Sequence, residues 1–120
     1  MKTICDANIV LRYLMHDDEE LYNKAEKIIR KSPHVSLLVL SEVVYVLSGT
    51  YHVSRAEIVD TLIALSNEVV FEENELFIKT LENYKSIKLD LVDCYLLARK
   101  QILNEEVETF DKKLEKVLRK

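Results

Sequence analysis

A parallel β-sheet covered by helices is the fold class that three features of the 120-residue sequence predict. Short β-branched runs alternate with longer segments in which apolar residues recur every three to four positions, and strands separated by helices build parallel sheets. The chain has one Gly and one Pro, too few for the tight turns of an all-β sandwich, so helices should dominate. Hydrophobic residues make up 48% and charged residues 32%, enough for a core and for a solvated surface. The length fits a single domain over residues 1–120.

The elements follow in order. Thr3-Ile4-Cys5 is an apolar run ending at Asp6 and reads as a first strand. Residues 7–15 carry Ile9, Val10, Tyr13 and Leu14 at helical spacing. Residues 18–31 form a more polar helix with Leu21, Ala25, Ile28 and Ile29 on one face, ended by Pro33. A second strand is expected over 34–37. An apolar helix then covers 39–47, with Ser48-Gly49 as its C-terminal stop. Ser54 with Glu57 three residues on is the capping-box pattern and opens a helix to about Leu65. Residues 68–71 are a third strand, 74–84 and 89–103 are helices, and 107–110 are a fourth strand. Asp111 caps a final lysine-rich helix.

The formal net charge of −4 speaks against a protein that grips nucleic acid by bulk electrostatics, but not against one that gathers carboxylates around a cation, which reverses the local field. Cys5 and Cys94 form no CxxC pair and read as free thiols of a reducing compartment. No signal peptide is recognised at the N-terminus, and the longest uncharged stretch, residues 35–51, is broken by Glu42 and is shorter than the ~20 residues of a membrane span. A cytoplasmic protein without a membrane contact is expected.

Ligands of open parallel sheets sit beyond the carboxyl ends of the strands, and two acids stand there. Asp6 follows the first strand and Asp111 the fourth, and each also suits a helix N-cap. Glu42 is the only charged residue between His34 and His52, and a carboxylate among so many apolar neighbours is costly to bury without a cation or donor. Asp93 lies in a similar apolar setting, with Asp90 three residues earlier on the same helix face. Asp90 suits the helix dipole and is the secondary candidate. Clustered carboxylates suit a hard divalent cation such as Mg²⁺, which activates water and neutralises charge on a phosphodiester.

These segments resemble the PIN-domain ribonucleases, most closely the VapC-type toxins of type II toxin–antitoxin systems. The likeness rests on Ile4-Cys5-Asp6-Ala7-Asn8-Ile9-Val10-Leu11, Ser41-Glu42-Val43, Asp93-Cys94-Tyr95-Leu96-Leu97-Ala98 and Thr109-Phe110-Asp111, in order along almost the whole chain. Two positions depart from the family pattern: Cys94, where Ala is usual, and Ala7, where a small hydroxyl residue often follows the first Asp. The resemblance implies a PIN-like three-layer fold. Its central parallel sheet has four or five strands, the first and fourth adjacent, with helices on both faces. It also implies a Mg²⁺- or Mn²⁺-dependent endoribonuclease that leaves 5′-phosphates. Asp6, Glu42 and Asp93 would hold the metal, Asp111 would act directly or through water, and Asn8 and Thr109 would support them.

Arg12, Arg99, Lys112 and Lys113 lie near these acids in sequence and are candidates for RNA contacts. His16, His34 and His52 lack metal-ligand spacing, Ser41 lacks a paired base, and no Gly-rich phosphate loop is present. The helices over 39–47 and 56–65 are apolar on more than one face, which predicts a homodimer. A cognate antitoxin is the other expected partner. Two other functions fit less of the sequence. A phospho-acceptor signalling module needs paired acids after the first strand, where this chain has one. A non-catalytic PIN-like binding protein would not need all four acids.

Overall fold

The computed structural model describes every residue, Met1–Lys120, in two compact units, Met1–Glu73 and Asn74–Lys120.

In the first unit the helices are α1 (Ala7–Met15), α2 (Glu19–Ile29), α3 (Leu37–Gly49) and α4 (Arg55–Leu65), and the strands are β1 (His34–Val35) and β2 (Val70–Phe71). Each helix begins at a side-chain cap. Asp6 accepts from Ile9 N, Asp18 from Leu21 N, Ser36 from Val39 N and Ser54 from Glu57 N, satisfying amides that a helix start leaves open. The Ser36 cap also shortens the strand expected over 34–37, because Leu37 already belongs to α3. β1 and β2 run parallel with His34 opposite Val70 and Val35 opposite Phe71, and α3 and α4 form the crossover. The first expected strand is reduced to a parallel bridge between Ile4 and His34, where His34 N donates to Thr3 O at 2.7 Å. Val10, Val35, Leu40, Val43, Ile58, Leu62 and Phe71 are buried.

Gly49 does not stop α3. It is the last helical residue, and Thr50 is the cap, its N–H donating to Val46 O.

The second unit comprises α5 (Asn74–Ser86), α6 (Leu91–Leu103) and α7 (Lys112–Leu118). α5 packs on α6, and α6 on α7. Buried Asn83 links the first pair, its Nδ2 donating to Cys94 O at 3.1 Å and to Gln101 Oε1 at 2.9 Å. Asn104 ends α6 in the left-handed conformation (φ 55°). The fourth expected strand does not form. Residues 107–110 have the alternation of a strand, with Val107 and Thr109 half-buried and Glu108 and Phe110 exposed. They have no backbone–backbone hydrogen bond to a partner, and a strand is defined by its ladder. The sheet is thus two-stranded rather than four- or five-stranded, and the fold is a helix-rich α/β one.

Neither Cys5 nor Cys94 is in a disulfide; Cys5 is half-buried and Cys94 buried. No helix is long and apolar enough to cross a membrane.

Candidate active site

In the first unit, Asp6 lies between the Ile4–His34 bridge and α1, and its Oδ1 accepts from Ile9 N at 3.1 Å. It borders an open groove of about 460 Å³ shared with Ile4, Cys5, Ile9, Ile28 and Val39. Burial raises the pKa of the Cys5 thiol, and the charge of the adjacent Asp6 raises it further. Asn8 is exposed in the first turn of α1.

Glu42 is exposed, contrary to the burial its apolar surroundings suggest. The phase of α3 explains the difference. Leu40, Val43, Val44 and Leu47 are buried, while Leu38, Glu42 and Tyr45 recur at i, i+4 and i+7 on the outward stripe. Val39, one turn before Glu42, lines the groove that Asp6 borders.

In the second unit Asp90 and Asp111 both act electrostatically on Asp93. Asp90 caps α6, its Oδ1 accepting from Asp93 N at 2.9 Å. Asp111 caps α7, its Oδ1 accepting from Leu114 N at 2.9 Å, while its own N–H donates to Thr109 Oγ1 at 3.0 Å. Asp93 is half-buried, and its pKa is raised by that burial, then by the charges of Asp90 and Asp111 and by a hydrogen bond with Asp90. Sequence reasoning ranked Asp90 below Asp93. The structure makes Asp90 the helix cap and joins it electrostatically to Asp93. The pattern Asp90-x-x-Asp93 at a helix start was the available signal.

The four basic residues named from sequence differ in their engagements. Arg12 Nη1 lies 3.4 Å from Asp17, and its Nε is buried without an acceptor. Arg99 is held by Glu105 at 2.5 Å. Lys112 and Lys113 are exposed in the first turn of α7.

Within neither unit do three His, Cys, Asp or Glu side chains form a ready-made cage for a metal ion. The donor chemistry nevertheless fits a hard cation. Mg²⁺ binds through one or two carboxylates and keeps several waters, and Asp93 beside Asp90 and Asp111 is an acid set whose mutual repulsion a cation relieves.

No curated protein matches the chain. The PIN domain family model matches residues 3–120, a span that includes each of the acids described above. The chain therefore belongs to the PIN-domain family, whose members are generally nucleases that use divalent metal ions.

Proposed function

We propose that this chain is a Mg²⁺- or Mn²⁺-dependent endoribonuclease of the cytoplasm, the VapC-like toxin of a toxin–antitoxin pair, with residues 1–120 acting as one nuclease domain. Asp6, Glu42, Asp93 and Asp111 hold the metal, Asp111 directly or through water, with Asp90 as an auxiliary acid. Asn8 and Thr109 orient them. The observation that carries this reading is the PIN-domain match over residues 3–120, a span in which half-buried Asp93 feels the charges of Asp90 and Asp111. When bound, the cation would activate water and neutralise charge on the phosphodiester.

The chain's own residues supply positions. The caps fix Asp6 and Asp111 at helix starts, where backbone amides orient each carboxylate through one oxygen. Thr109 holds the amide of Asp111. Exposed Lys112 and Lys113 suit the phosphates of RNA, whereas Arg12 and Arg99 have acidic partners of their own and suit that role less.

Partners follow from the same reading: RNA as substrate, an antitoxin, and a second copy of the chain. Leu38 and Tyr45 on the outward stripe of α3, 82% and 79% exposed, support the homodimer.

The test is cleavage of RNA by purified protein with Mg²⁺ or Mn²⁺, stopped by a chelator. Asp6→Asn, Glu42→Gln and Asp93→Asn should each lower the rate at least ~100-fold. Undiminished cleavage by Asp6→Asn would overturn the assignment. For the toxin role, expression should arrest growth, and co-expression of a short adjacent reading frame should relieve it.

A further inference from the structure

From the left-handed Asn104 that ends α6 to Asp111 that caps α7, residues 105–110 make no backbone–backbone hydrogen bond. One side chain ties this segment to a helix. The two carboxylate oxygens of Glu105 accept from Nε and Nη2 of Arg99 at 2.5 and 2.9 Å. The remaining guanidinium nitrogen, Nη1, donates to Tyr95 Oη at 2.8 Å, and Arg99 Cζ lies 5.6 Å from the centroid of the Tyr95 ring. Tyr95 and Arg99 are one turn apart on α6, so the fork is fixed to a rigid element at both ends of the guanidinium.

A planar guanidinium that meets both oxygens of a carboxylate fixes orientation as well as distance. Arg99 and Glu105 are part-exposed, at 29% and 44%, so their pairing contributes little to global stability. Its effect is directional. It sets how the chain leaves α6, and the chain next meets an anchor only where Thr109 and Asp111 begin α7.

We propose that Arg99 and Glu105 are positioning residues for Asp111: their fork, braced by Tyr95, holds residues 105–110 on a path that delivers the Asp111 carboxylate to its place. Its consequence for catalysis rests on the reading of Asp111 as a metal-site acid. All three kinds of guanidinium nitrogen are engaged inside the unit, so Arg99 acts through the loop rather than on the phosphate of RNA.

Two variants of the full chain test this. Glu105→Gln removes the charged fork at nearly constant volume, and Arg99→Glu combined with Glu105→Arg restores a pair with its charges exchanged. In metal-free protein, ¹⁵N order parameters of residues 106–110 should fall in Glu105→Gln and recover in the exchanged pair. With Mn²⁺ and RNA, kcat should fall about 10-fold in Glu105→Gln with KM nearly unchanged, and recover in the exchanged pair. Unchanged order parameters in Glu105→Gln overturn the proposal. So does an exchanged pair that regains loop order but not kcat, because Arg99 then touches RNA itself. A wild-type protein that cuts no RNA refutes the nuclease reading, and the order parameters still decide the tether.

Discussion

Asp90 receives the backbone N–H of Asp93 at 2.9 Å, and burial, then the charge of that same Asp90 carboxylate, raises the pKa of the Asp93 side chain. One residue thus starts α6 and perturbs the acid in its first turn. A carboxyl with a raised folded pKa contributes stability that is fully present below its unfolded value and lost as pH rises through the folded one. Once ionised, Asp93 is in its unfavourable state. Asp93→Asn should stabilise the metal-free protein by about 0.5 kcal/mol, a small effect because the half-exposed group is screened by solvent. The gap from the wild type should narrow towards acid pH. Melts with and without Mn²⁺ check this, and the variant should also lose most of the metal-dependent stabilisation.

Tyr13 donates its phenolic proton to Glu68, and its ring stacks on Tyr22, with centroids 5.5 Å apart. The hydrogen bond, followed by burial and by the charges of Glu68, Tyr22 and Glu26, pushes its pKa up to about 12 from the ordinary 10.0. The stability this adds should be complete below pH 10 and disappear as pH rises through about 12. A phenolate absorbance titration should show a late step near pH 12 from Tyr13. Tyr13→Phe and Glu68→Gln should each remove that late step.

Asn83 is 5% exposed and its side-chain amide donates to both Cys94 O and Gln101 Oε1 on α6. Asn83→Ala would delete both bonds. Urea denaturation should show a loss of about 1–3 kcal/mol. An effect below about 0.5 kcal/mol would mean that water replaces the amide.

The proposed homodimer should be sensitive to the outward stripe of α3. Tyr45→Asp or Leu38→Asp places a charge on that stripe and should shift light scattering at micromolar concentration from dimer to monomer, with helical circular dichroism unchanged. A monomeric wild type contradicts the proposal.

What the sequence reveals here depends on how local the cause is. The caps at Asp6, Ser54 and Asp111 are legible because a side chain and an amide three residues on suffice to make them. Residues 107–110 have strand character in sequence but no ladder, because pairing depends on a partner that no local pattern specifies. Glu42 was misjudged by counting apolar neighbours rather than following the helical phase that turns residues 38, 42 and 45 outward. The Arg99–Glu105 fork was missed because its spacing of six crosses a helix end. The left-handed Asn104 between them was the available signal, since Asn tolerates that conformation.

Five residues adopt positive φ, at 49° to 55°: His16, Ser32, His52, Glu73 and Asn104. None of them is glycine, and the one glycine sits in α3, where a Cβ would meet nothing within 4 Å. Glycine is thus absent from the bends that would welcome it and present in a helix that it weakens. Conformational freedom and backbone demand are mismatched, which leaves the chain short of the stability its own architecture permits. Moving the glycine, by Gly49→Ala together with Ser32→Gly or Glu73→Gly, would correct the mismatch without touching a proposed site acid. The helical change alone should add about 0.5–1 kcal/mol.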